Sequence, residues 1–162
     1  MKTEIRYSMI HQTILDHGDI GNVLNAEGYK NLENKSRKFK ELYEKYIDKI
    51  IELIEERIEG GGWRYEFMPI YVVDIKLEDC YVISKGKKST WKGYSDPITI
   101  LIRHEKVMLF TLIHELVHNY LPLGKHREMG LEKVENYVHR DVAQKVWEEL
   151  GLGDWRKHIK KD

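Results

Sequence analysis

Between Val107 and Tyr120 the chain reads Val-Met-Leu-Phe-Thr-Leu-Ile-His-Glu-Leu-Val-His-Asn-Tyr, apolar on nearly every side of a helical projection. A helix of that kind has no face for solvent and must lie inside the molecule, with the other elements folded around it. It nevertheless carries His114, Glu115 and His118. Buried polar groups without partners cost of order 1–3 kcal/mol each, so these three need something to bind. Residues four apart stand one above the other on a helix, which lets His114 and His118 aim their ring nitrogens at one point. Glu115 lies about 100° further round, where it can reach a water at that point without joining the pair.

Two imidazoles and an offset carboxylate are the ligands and general base of hydrolytic zinc chemistry, the division of labour of a metallopeptidase. The competing reading is two hydrogen-bonded core histidines with a glutamate at the helix edge. Catalytic zinc takes three protein ligands, so a third has to be found. An extended metzincin pattern is excluded, because Leu121 stands where its glycine belongs and Gly124 where its third histidine belongs. Further on, Leu131, Val134, Val138, Val142, Val146 and Leu150 recur at three- and four-residue steps and predict a second amphipathic helix. Glu135 falls near the centre of that apolar face, where a carboxylate needs a cation or donors. Glu135 is therefore the expected third ligand, with Glu132, Glu128, His126 and His139 as the other candidates.

His-Glu-x-x-His on one helix, followed seventeen residues after His118 by a glutamate on a second, resembles the gluzincin clan of zinc peptidases. Small minigluzincins match in size, and ImmA/IrrE-type peptidases share the two-helix logic. The resemblance spans about fifty residues, Ile98 to Val146. It implies zinc bound by His114, His118 and Glu135, water activated by Glu115, and a peptide or protein substrate. It also implies a zincin-like α+β fold: a small twisted, mostly antiparallel sheet on a backing helix and the active-site helix, followed by a glutamate helix. Thermolysin-like members carry an aspartate four residues after the glutamate ligand, whereas His139 stands there in this chain. SprT-type proteases supply a third histidine soon after the motif helix, and His126 is the residue that reading would use. A third possibility is a zinc-binding module without catalysis, with four protein groups on the metal.

The remainder is expected to complete a single catalytic domain over residues 1–162, with 1–30 poorly defined by periodicity. Ile, Leu, Phe and Tyr follow a helical stripe from Asn31 to Glu59, ended by Gly60-Gly61-Gly62, which predicts a long backing helix. Runs rich in β-branched and aromatic residues follow from Trp63 to Ser84 and from Pro97 to Arg103. The polar tract Lys85–Asp96 reads as a turn-rich connector and Ile98–Arg103 as a further strand; the resemblance to gluzincins implies an antiparallel edge strand that pairs with extended substrate, and Ile98–Arg103 is the candidate for it. The first histidine helix should stop near Tyr120, since Leu121 precedes a proline.

With 27 basic and 27 acidic residues the chain has no net charge to draw it to nucleic acid. Cys80 is the one cysteine, which excludes an intrachain disulfide and suits a reducing compartment. No run reaches the roughly 18 apolar residues of a membrane span, and no signal core opens the sequence, so a cytoplasmic protein is expected. The segment 151–162 carries two glycines, Trp155 and basic residues, which suit a frayed or lightly docked tail; the resemblance to minigluzincins implies instead a self-inhibitory one, acting within the chain or on a homodimer partner. For oxyanion stabilisation His139, Tyr137, Tyr120 and His104 are available.

Overall fold

The computed structural model describes residues 1–7, 26–73, 81–84, 87–90, 94–95 and 98–159, of which 26–29, 81–84, 87–90, 94–95 and His126 are described by backbone alone. Cys80 lies outside the described residues. The elements are β1 (Lys2–Tyr7), α1 (Ala26–Lys35), α2 (Arg37–Arg57), β2 (Phe67–Val73), β3 (Tyr81–Ser84), β4 (Lys87–Thr90), β5 (Tyr94–Ser95) and β6 (Ile98–Leu101). The helices α3 (Glu105–Tyr120), α4 (Leu123–Met129) and α5 (Leu131–Asn136) follow. After them come a π-helical stretch (Tyr137–Ala143), α6 (Gln144–Leu150) and a 3-10 turn (Trp155–His158).

The fold is mixed α and β, but the sheet corrects the antiparallel expectation. Its order is β1-β2-β6-β5, with β1, β2 and β6 parallel and the two-residue β5 antiparallel at one edge. Parallel neighbours need long crossovers, and α1 and α2 supply the one between β1 and β2. The sequence carried a sign of this: Ile70-Tyr71-Val72-Val73 and Ile98-Thr99-Ile100-Leu101 are continuous runs, as in strands covered on both faces, rather than alternating ones. All four residues of β6 are buried. Lying between β2 and β5, β6 is also not the edge strand expected of Ile98–Arg103. The tract read as a connector contains β4, which forms a separate antiparallel hairpin with β3. In the N-terminal segment, β1 was not foreseen; only Tyr7 of its six residues is buried.

The backing helix forms as two pieces. Ser36 separates α1 from α2, and its buried hydroxyl donates its one proton to the Leu32 carbonyl at 2.8 Å, which leaves it to accept from the Tyr7 hydroxyl 3.2 Å away. Side-chain bonding to the i−4 carbonyl bends helices, and here a strand residue holds the bend in place. From there α2 buries Phe39, Tyr43, Ile47, Ile50, Leu53 and Ile54 at helical spacing, and the helix packs mainly on α3. The glycines that end it let the chain cross the end of α3: Gly62 N–H donates to the Tyr120 carbonyl at 3.0 Å, and a Cβ on Gly61 would run into the Tyr120 ring.

Helix α3 is the centre of the molecule. Leu109, Leu112, Ile113, Leu116 and Val117 are completely buried, each worth about 1.5–3 kcal/mol on transfer from water. They meet α2, β6, the π-helical stretch and the 3-10 turn. The helix stops as expected, with Leu121 extended at φ −70°, ψ 126°. Among the described residues, no helix is long and apolar enough to cross a membrane.

Candidate metal centre

His114 and His118 stand one turn apart on α3, and their Nε2 atoms approach to 3.2 Å. Glu135, near the end of α5, reaches both: Oε1 lies 2.9 Å from His118 Nε2, and Oε2 lies 3.4 Å from His114 Nε2. Four-coordinate zinc with bonds of 2.0–2.1 Å places its donors about 3.3 Å apart. The three measured separations bracket that value, and the donor set is two neutral-capable imidazoles and one carboxylate. These residues fit a divalent ion, and among the described residues they form a group able to hold one.

The surroundings are unequal. The histidine side chains are 18% and 15% exposed, whereas Glu135 is 49% exposed and forms the outer rim. That corrects the expectation of Glu135 at the centre of the apolar face. Val134, Val138, Val142 and Val146 are buried as predicted, but Leu131 is 84% exposed. The cause lies one residue beyond Asn136, where the chain enters the π-helical stretch. A π stretch bonds i to i+5, so it rotates the face before it relative to the face after it, and a wheel drawn with one uniform period averages the two.

Burial pulls the His114 imidazole down to about 4, with the neighbouring His118 adding to the effect. A neutral ring offers its lone pair, the form a metal needs. Burial likewise pushes the Glu115 carboxyl up to about 7, reinforced by the negative charge of Glu135. A carboxyl so poised exchanges protons near neutral pH. Asn119, fully buried in the same helix, donates through Nδ2 to the Glu115 carbonyl at 3.0 Å, and Arg64, from outside the helix, donates to the His118 carbonyl at 3.2 Å.

The other sequence candidates separate clearly. His139 packs edge-on against His114 with ring centroids 5.7 Å apart, and burial, then Arg156, lower its pKa. Glu132 is exposed, and Glu128 faces Lys125 at 3.9 Å. His126 has its backbone in α4, while its side chain lies outside the described residues. Among the possible oxyanion donors, Tyr120 is turned onto Trp63 at 4.7 Å, and Tyr137 is half-buried. His104 caps the start of α3, accepting the Lys106 N–H at 3.2 Å, about 15 Å along the helix from His114.

The segment after α6 lies against the centre. Trp155 is buried, stacks on Phe110 at 4.1 Å and donates to Gln144 Oε1 at 3.1 Å. Trp147 donates to the Gly153 carbonyl at 2.6 Å, and His158 stacks on His104 at 3.7 Å. Arg156 and Arg140 line a groove together with Glu135, Asn136 and His139. Sequence reasoning missed both arginines; a tryptophan in a polar tail was the one sign of docking. No protein-family model, curated protein or solved structure matches the chain.

Proposed function

We propose that the protein is a zinc-dependent metallopeptidase of gluzincin type, with His114, His118 and Glu135 as ligands and Glu115 as general base. The observation that carries this reading is the convergence of Glu135, from a separate helix, on both motif histidines at 2.9 and 3.4 Å. A zincin-like organisation is proposed on the same ground, from the two helices and not from the sheet.

A zinc ion, when bound, supplies Lewis acidity that polarises a carbonyl and lowers the pKa of water towards ~7. The chain's own residues do the rest. Glu115, standing beside the ligand cluster and poised near neutrality, takes the proton of the attacking water and returns it to the departing amine. His139, lying against His114 at the inner edge of the groove, is placed to donate to the oxygen that gains charge. Phe110 and Trp155 set their rings against His139, at 5.2 and 6.0 Å between centroids, and hold that imidazole in place beside His114.

The test is cleavage of a peptide library by the zinc-loaded protein, by the chelated protein and by Glu115→Gln. Turnover confined to the loaded wild type supports the reading. Stoichiometric zinc with no turnover of any peptide would instead indicate a binding module, and no zinc at all would overturn the centre.

A further inference from the structure

We propose that Arg140 and Arg156 form an anion subsite that receives the C-terminal carboxylate of a peptide chain. The proposal deepens the peptidase reading by assigning its substrate class, and it rests on that reading for its chemistry. Glu135, Asn136, His139, Arg140 and Arg156 line one groove of about 440 Å³, so the candidate metal ligand shares that groove with both arginines. Both also lie within electrostatic reach of His139.

Neither guanidinium is in an ion pair among the described residues, although Arg6 pairs with Glu4 and Arg57 with Glu149. Arg156 lies over the Trp155 ring at 5.7 Å, a contact that leaves its charge uncompensated, so the groove holds two arginines against the one carboxylate of Glu135 and keeps a local positive excess. The guanidinium fork matches a carboxylate, and two forks can take both its oxygens. A peptide lying with its carbonyl at the His-His-Glu cluster and its end in this groove has a carboxylate within a residue or two of the scissile bond.

The anchoring of Trp155 gives this subsite its construction. Its stack on Phe110 and its bond to Gln144 fix the backbone one residue before Arg156. Arg156 N–H further bonds Asp154 Oδ1 at 3.0 Å, closing the turn. The segment after α6 therefore contributes a substrate contact, and its role is recognition of the chain end.

Binding is measured by calorimetry in zinc-loaded Glu115→Gln, so that no turnover intervenes. The probes are an N-acetylated tripeptide acid of apolar residues, its C-terminal amide, and an amide ending in aspartate. The acid is expected to bind at least about tenfold more tightly than the plain amide, the gain of a charge-assisted contact. In Arg140→Ala/Arg156→Ala that difference should collapse to about twofold or less, while the plain amide binds as before. Equal binding of acid and amide overturns the proposal, as does a preference that persists in the double variant. An advantage shown only by the aspartyl amide also overturns it, since the subsite would then read a side chain. Peptide cleavage by the wild type is scored separately: cleavage without carboxylate preference sinks the subsite alone, and carboxylate binding without any cleavage sinks the peptidase alone.

Discussion

Glu135 Oε1 lies 2.9 Å from His118 Nε2 although the two residues belong to different helices separated by α4 and a glycine turn. The carboxylate is the hinge point between α3 and the second half of the centre, so its chemistry is testable apart from the motif. Glu135→Ala is expected to lower bound zinc below about one-tenth of an ion per chain after dialysis, as are His114→Ala and His118→Ala. Elemental analysis of the four proteins checks this. Wild-type zinc content in Glu135→Ala would remove it from the ligand set.

Glu115→Gln should retain metal while lowering turnover by at least about a hundredfold. It should also change how stability depends on pH in the chelated protein. The folded carboxyl titrates near 7, above its ordinary value of 4.5, so the stability it lends is full below 4.5 and lost as pH rises through 7. Glutamine cannot ionise and escapes that loss. The variant should match the wild type at pH 4 and exceed it at pH 8 by up to about 3 kcal/mol, read by urea unfolding at both pH values. A gain of equal size at pH 4 would mean that charge is not its cause.

Trp155→Ala removes a buried ring stacked on Phe110 and leaves Gln144 Oε1 without its donor. A loss of about 3 kcal/mol is expected, at the lower end for large aromatic truncations because the segment lies at the surface. Denaturant titration measures it. A change under about 0.5 kcal/mol would show that the segment is not docked in solution.

Gly61→Ala places a methyl where the Tyr120 ring lies and forces that ring away from Trp63. The cost should be about 1–3 kcal/mol. Gly62→Ala, with open space around its Cβ, serves as the control and should cost less. Thermal melts of the pair decide the matter; equal losses would point to backbone entropy rather than the ring.

The centre was more legible in the sequence than the sheet that supports it. His114, Glu115 and His118 are fixed relative to one another by one helical turn, and Glu135 could be proposed because a carboxylate on an apolar stripe demands a partner. Its exact direction was not legible, since nothing in Tyr137–Ala143 announces a π stretch and a uniform period misplaces whatever precedes one. Strand direction was lost for a different reason: β-branched runs identify strands but not their partners, which are set by crossovers. The short β1 alternates and lies at an edge, so it lacked the apolar density that made β2 and β6 visible. Arg140 and Arg156 become neighbours in one groove only through the docking of Trp155, a tertiary event without a local sign.

The parallel pairing of β1 with β2 sets Lys2 opposite Phe67, whereas the whole ligand cluster is gathered from within a few helical turns of chain. Contacts so distant in sequence carry a high loop-closure entropy and form slowly. During synthesis the β1 segment is made before β2, and until β2 emerges it has no strand to pair with. Lys2, Glu4 and Arg6 occupy its alternate, exposed positions and place charge along it. Such charges discourage pairing with the wrong strand, so the weak apolar character of this segment is what protects the chain while it waits.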